Sequence, residues 1–411
     1  MEEKRVAGLH GYKKHLLLFP LPAQGHINPM VQLANILHNR GFYISIVQTD
    51  FRAAHLKPRP GFAIENICLG LSHQEILVMD IMEVIFKLNE KCNLPFRALI
   101  KNLQSREGSF PISCLITDAL LYLTQDAAEE LGIMRMALRT SSPTSQLVYE
   151  SFPVLIEKGY LGDGAQFSDE EPLSDLSPLR VKDIPLIDKK QSESLYIFVS
   201  TFVSKTYSAS AIIFNSSEAL EHLTLQRLQQ QFSGKVYTIG PLVSPIPASL
   251  WPEDCSCISW LDTKTSGSQL IEIAWGLANS GCPFLWVVRP GLVSGVDEAE
   301  LPSGFMDQVG SRGLVVRWAP QKEVLAHRAV GAFWTHCGWN STLESVVGVE
   351  MGKEAERGEV EKAVRKLLVE REGEEMRERV RELKKAADRS MEKGGSSYEA
   401  LEALMEHLMS C

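Results

Sequence analysis

Apolar runs of strand length alternate with amphipathic helical stretches through the N-terminal third of this chain, and that alternation leaves few folds open. HLLLFP (15–20) reads as a strand, and residues 27–39 as a helix with Ile27, Met30, Val31, Ala34 and Leu37 on one face. Gly41 stops that helix and FYISIVQ (42–48) is the next strand. The pattern returns with ISCLIT (112–117), followed by helical sequence over 120–131 that ends at Gly132. Strand–helix–strand repetition of this kind predicts a parallel, doubly wound α/β sheet with ligands at the carboxyl ends of its strands. At 411 residues the chain is too long for one compact core, so two domains are expected. The Pro-rich stretch 244–252 is the natural linker between them.

Two side chains fall at predicted strand ends. His26 sits in the loop PLPAQGHINPM, just before a helix, and Asp118 directly follows a strand. A helix start disfavours a second positive charge, which leaves a neutral imidazole as a proton acceptor. Asp118 could hold the far ring nitrogen and stabilise the imidazolium formed during reaction. The competing readings are a solvated loop histidine and an aspartate serving as a helix N-cap. Spacing alone leaves both open.

A second concentration of signal lies in WAPQKEVLAHRAVGAFWTHCGWNSTLES (318–345). AVGAFW (329–334) is nearly continuously apolar, as expected of a parallel strand covered on both faces. Gly338 permits a close turn, and STLE (341–344) reads as a helix start with a capping box. Free amides at such a start form an anion site, beside which His336, Asn340 and Ser341 could add hydrogen bonds to a phosphate. The plain alternative is a capped helix after a core strand.

Other function classes are disfavoured. With 42 Lys and Arg against 51 Asp and Glu, the net charge of −9 argues against a nucleic-acid or anionic-membrane surface. The eight cysteines form no Cys-x-x-Cys pair and no zinc spacing, and read as reduced cytosolic thiols. The short apolar run 16–19 meets Pro20 at once, too soon for a signal peptide or membrane span. No Gly-x-Gly-x-x-Gly follows any strand, and Gly162-Asp-Gly164 lacks both the third glycine and a preceding strand, so a nicotinamide oxidoreductase is disfavoured.

The 318–345 segment, together with the PLPAQGHINPM loop, resembles the signature of plant secondary-product glycosyltransferases, UDP-sugar-dependent enzymes of the GT-B fold. IIFNSSEALE (212–221), VYTIGPL (236–242), SWLD (259–262), FLWVVRP (284–290) and KGGSS (393–397) agree as well, so the resemblance covers most of the chain. It implies two Rossmann-like domains facing a cleft, an acceptor domain over 1–243 and a donor domain over 244–411, with the last helix packing back on the first domain. His26 is then the general base and Asp118 its orienting partner. Trp318 stacks on uracil, the Ala319 backbone reads the base edge, and Gln321 and Glu344 hold the ribose. His336, Asn340 and Ser341 hold the diphosphate, Trp339 meets the sugar through its backbone, and Thr140 reaches the sugar from the other domain. The resemblance implies inverting transfer from a UDP-sugar co-substrate to a small hydrophobic hydroxylated acceptor, in the cytoplasm, with no metal and no cofactor.

The chain also departs from that pattern. After Ser345 the family continues through a Gly-Val-Pro strand to an acidic-Gln pair that grips the sugar; here Val360 and Glu361 occupy those positions, in a charged helical stretch. Between Gly267 and Gln269 a strand and a Gly-Ser loop are omitted, and the stretch 71–83 is shortened. Both main junctions interrupt motifs, as expected of a shortened transcript or gene model. Sequencing the transcript tests this, and the explanation fails if both junctions are encoded with no longer form present. The rival function is a catalytically silent protein that keeps a nucleotide or metabolite pocket.

Overall fold

The structure, a computed structural model, describes residues 11–50, 58, 60–70, 81–106, 110–161, 167–168, 170–184, 192–242, 267–288, 301–317, 319, 321–335, 339, 342–343 and 356–411. The chain divides into two compact units, one made of residues 1–71, 85–244 and 389–411, the other of 72–84 and 245–388.

The first unit is built on seven parallel strands. In chain order its elements begin with β1 (His15–Phe19), α1 (Gln24–Asn39), β2 (Tyr43–Thr49) and β3 (Phe62–Ile67). Helices α2 (Ile81–Lys91) and α3 (Asn93–Ser105) lead to β4 (Ile112–Asp118), α4 (Leu123–Leu131) and β5 (Met134–Arg139). After α5 (Pro143–Glu150), α6 (Phe152–Glu157) and α7 (Ser192–Tyr207) come β6 (Ala211–Phe214), α8 (Glu218–Gln231) and β7 (Lys235–Thr238). The strands lie in the order β3-β2-β1-β4-β5-β6-β7. The chain thus winds outward from β1 to β3, then returns to place β4 on the other side of β1. That reversal is the switch point at which doubly wound sheets bind ligands.

The elements form where the apolar pattern places them. All five residues of β1 are buried, because β1 has a strand on each side and elements over both faces. Gly41 takes a φ of 88° and Gly132 one of 63°, left-handed conformations that end α1 and α4 at little steric cost. Two boundaries differ from the sequence reading. α1 begins at Gln24 rather than after His26, since the Ala23 carbonyl accepts from the amides of both His26 and Ile27 at 2.9 Å. α4 begins at Leu123, because residues 119–121 are spent on the turn that leaves β4.

One buried polar group of this unit has a legible effect on stability. His15 receives the Ser45 hydroxyl at Nε2 (2.8 Å) and donates from Nδ1 to the Phe110 carbonyl (2.7 Å), which satisfies a neutral ring. Burial lowers its pKa to about 4, against a smaller opposing pull from the Phe110 carbonyl. The unfolded chain therefore takes up a proton near pH 6.5 that the folded chain refuses until about pH 4. Stability supplied by this group is complete above pH 6.5 and falls as the pH drops toward 4, by about 3 kcal/mol. Urea unfolding of His15→Gln should show that much less loss between pH 7 and 4 than the parent; an unchanged pH slope would refute the assignment.

The second unit contains α9 (Gly267–Ser280), β8 (Phe284–Val287), α10 (Phe305–Val309), β9 (Gly313–Val316), α11 (Gln321–Ala326) and α12 (Arg357–Leu368). Its described strands β8 and β9 form a parallel pair. Phe305 centres a small core with Ala274, Ala278 and Val309, against which Trp275, Phe284 and Trp286 pack. α12 lies tightly on α9: a Cβ at Gly276 would stand 2.4 Å from the Cβ of Val360, so the approach requires glycine. Val360 is fully buried there.

The stretch 329–334, expected to be a doubly covered strand, is irregular and largely exposed, with Val330 at 36% and Trp334 at 45% of full exposure. Among the described residues no strand pairs with it: the Ala329 amide donates to His327 Nδ1 (3.2 Å) and the Val330 amide to the His327 carbonyl (3.0 Å), a local turn rather than a ladder.

Helix α13 (Arg371–Met391) precedes α14 (Ser396–Ser410), and α14 belongs to the first unit. Leu401, Leu404 and Leu408 join the same apolar cluster as Leu16, Cys114 and Ile213. Ser397 donates to the Gly240 carbonyl at 2.6 Å, fixing the start of α14 beside the end of β7.

Candidate active site

Register brings the site together. Phe19 of β1 pairs with Thr117 of β4, so Asp118 lies one step beyond, where the chain leaves β1 toward α1. Asp118 in turn pairs with Leu138 of β5, which puts Arg139 and Thr140 at the same carboxyl edge. His26 enters this edge from the first turn of α1.

The His26 Nδ1 lies 2.6 Å from Asp118 Oδ2 and 2.9 Å from Thr140 Oγ1. Asp118 is almost wholly buried and the His26 ring about a quarter exposed. Burial alone would raise the Asp118 pKa, but the His26 charge and hydrogen bond, the Leu120 amide and the Arg139 cation outweigh it and hold the carboxyl below its usual value. An ionised carboxylate can only accept, so Nδ1 is the nitrogen that carries a proton toward it, and in the neutral ring the lone pair falls on Nε2. Asp118 Oδ1 accepts from the Leu120 amide at 3.0 Å, which locks the carboxylate across the turn. That bond lies three residues short of α4 and is therefore no N-cap of it.

The loop carrying Thr140 is held from two directions. Ser142 caps α5 by accepting from the Ser145 amide at 3.0 Å, with Pro143 at the first helical position. From α8, Glu221 accepts from the Thr144 amide (3.0 Å) and hydroxyl (2.7 Å) and from the Ser216 hydroxyl (2.7 Å). Glu221 has non-helical backbone angles (φ −137°, ψ 37°), and a kink of this kind is where a side chain can leave its own helix to serve a neighbour.

Sequence reasoning missed Arg139. This side chain is buried beside Asp118, its guanidinium 5.3 Å from the Phe202 ring centre and 5.9 Å from that of Tyr149. Burial lowers its pKa, opposed by Tyr149 and Asp118. The signal was a charged residue closing the apolar strand MRMALR, a position where an unpaired charge is costly.

Of the expected donor residues in 318–345, only Ala319, Gln321 and Trp339 are described. Ala319 is half-buried, Gln321 opens α11, and Trp339 is half-buried at a helical position. Thr342 and Leu343 are helical, within the expected capping-box helix. Trp318, His336, Asn340, Ser341 and Glu344 lie outside the described residues. Among the described residues no group of three or more His, Cys, Asp or Glu could hold a metal ion, and no helix is long and apolar enough to cross a membrane.

Comparison with known proteins bears on the whole chain. The family described as UDP-glucoronosyl and UDP-glucosyl transferase matches residues 261–354. UDP-glycosyltransferase 76B1 of Arabidopsis thaliana is 38% identical over 447 aligned residues, covering 97% of this chain and 98% of that protein. A flavonol 3-O-glucosyltransferase of the same plant is 35% identical, covering 99% and 98%. The aligned length of 447 exceeds the 411 residues of the whole chain, so the match opens gaps in this chain. Among solved structures, a UDP-glucose:anthocyanidin 3-O-glucosyltransferase in complex with UDP superposes with a TM-score of 0.80 at 23% identity, covering 98% of this chain and 100% of that one. At that identity the likeness shows the fold alone, which is α/β of the GT-B class.

Proposed function

The chain belongs to the UDP-glucoronosyl and UDP-glucosyl transferase family, and on that premise we propose that it transfers glucose from UDP-glucose to a hydroxyl of a small hydrophobic plant metabolite of flavonoid or terpenoid type. The observation that carries this reading is the 2.6 Å contact between His26 and Asp118 at the switch point of the first sheet. His26 Nε2 takes the proton of the acceptor hydroxyl, the freed oxygen attacks the anomeric carbon from the face opposite UDP, and the glycoside forms with inversion. Asp118 keeps the proton on Nδ1 and stabilises the imidazolium that results.

In this reading residues 1–243 hold the acceptor and 244–411 the donor, and the reaction runs in the cytoplasm. Trp318 stacks on uracil beside the Ala319 backbone, while Gln321 and Glu344 hold the ribose. His336, Asn340, Ser341 and the amides of their helix neutralise the departing diphosphate in place of a metal. Thr140 and the Trp339 backbone meet the sugar.

A second reading is favoured by one observation, the exposed stretch 329–334, which pairs with no strand among the described residues, just ahead of the diphosphate residues. In that case the chain keeps the His26 edge but binds nucleotide poorly. Calorimetry of UDP with the purified chain separates the two. Binding that Trp318→Ala abolishes and His26→Ala preserves is the expected result. An absence of binding in the parent would leave only the second reading.

A further inference from the structure

The last residue of α14's packing surface brings a second reactive group onto the first sheet. Cys114 is a fully buried residue of β4 and pairs across the ladder with Met134 of β5. The Cys411 thiol reaches this spot: it lies 3.1 Å from the sulfur of Met134, the ladder partner of Cys114, and Cys411 packs against the same apolar cluster that contains Cys114. Lys14 holds the other side, donating from Nζ to the Cys411 carbonyl at 2.5 Å. Leu404 and Leu408, which share one apolar cluster with Cys114, keep α14 seated over this spot.

We propose that Cys114 and Cys411 are a thiol modification site, closing to a reversible disulfide that ties α14 to β4 when the surroundings become oxidising. The two sulfurs are unlike in the way thiol exchange requires. Cys411 is partly exposed, and its pKa is lowered by the hydrogen bond from Cys114 and by Lys14, against burial. Cys114 is sealed in the core, and its hydrogen bond to Cys411, with burial, pushes its pKa up. Cys411 is thus the attacking thiol and Cys114 the resolving one. With oxidised glutathione as oxidant, the Cys411 thiolate attacks one glutathione sulfur, the glutathione disulfide breaks, and one reduced glutathione leaves. Cys114 then attacks the Cys411 sulfur, and its proton passes to the departing glutathione thiolate, which leaves as the second reduced glutathione. Two protein thiols are oxidised and one external disulfide is reduced. The other described cysteines lack this arrangement: Cys92 is buried, with its thiol pushed up to about 12, Cys282 is buried with its thiol toward the Ser280 carbonyl, and Cys68 is exposed with Asp50 as its partner.

The test uses the full chain, incubated with oxidised glutathione, alkylated and digested for mass spectrometry. The expected product is one peptide pair joined through Cys114 and Cys411, lost on treatment with dithiothreitol, with slower amide exchange across α14 in the oxidised form. Cys411→Ser, at a partly exposed position, should abolish the bridge and leave Cys114 unmodified in the folded chain. Glutathione retained on Cys411 with Cys114 still alkylatable under denaturing conditions would overturn the proposal. So would two unmodified thiols after prolonged incubation.

Discussion

Replacing His26 with alanine is expected to lower the rate constant for glucosyl transfer by roughly 10²–10⁴-fold, leaving the Michaelis constant for UDP-glucose almost unchanged. Steady-state rates with a flavonol acceptor measure both. The loss corresponds to about 3–5 kcal/mol of transition-state stabilisation, and the geometry explains why it should fall on rate rather than on donor binding. Nδ1 is committed to Asp118 at 2.6 Å, with Thr140 as a second oxygen at 2.9 Å, so the ring is fixed and Nε2 is left to accept a proton. Asp118→Asn refines the test. The carboxamide is close in shape, but its NH₂ can donate to Nδ1 and leave the proton on Nε2, the wrong nitrogen for a base. It also removes the charge that stabilises the imidazolium. A loss comparable to that of His26→Ala is therefore expected, with the circular dichroism unchanged. Retention of activity within a few-fold of the parent in His26→Ala would remove the histidine from the chemistry.

Much of this edge was legible in the residues because local pattern and long-range pairing agree there. HLLLFP and ISCLIT are predominantly apolar, and such runs have few places to go except the middle of a parallel sheet. Once β1 and β4 are neighbours, the residues just beyond them must meet. The position of His26 inside α1 was not legible, since Ala23 offers no capping side chain to mark the helix start. Arg139 was obscured for a related reason: nothing in MRMALR says which neighbouring elements will supply Phe202, Tyr149 and Asp118. Glu221 reads as an ordinary helical glutamate until α8 kinks and its carboxylate turns to the Thr144 amide. In each case the deciding partner is far away in sequence.

The same agreement fails in the second unit, and there hydrogen exchange should differ most sharply. In the first sheet β1 lies between β2 and β4. If the second unit follows the same winding, β8 and β9 take the places of the second and third strands, and 329–334 that of the fourth. The strand omitted ahead of Gln269 is then the one that would have stood between β8 and this run, and the Gly-Val-Pro strand omitted after Ser345 would have flanked its other side. AVGAFW keeps a strand's composition, and among the described residues no strand pairs with it, in keeping with its exposed Val330 and Trp334. Amides of β1 and β4 exchange only through large-scale opening, which costs on the order of 5–15 kcal/mol in a typical domain. Among the described residues the Ala329 and Val330 amides donate only to His327 in a local turn and no ladder holds 329–334, so its amides need no such opening. At 1.4 kcal/mol per factor of ten, they should exchange at least roughly a thousandfold faster. Inserting an apolar strand and Gly-Ser loop ahead of Gln269 should slow them and tighten UDP binding together, because the residues proposed to hold the diphosphate begin at His336, two positions after the run. If the parent's 329–334 amides already exchange as slowly as those of β1, the run is paired and this account of the second unit is wrong.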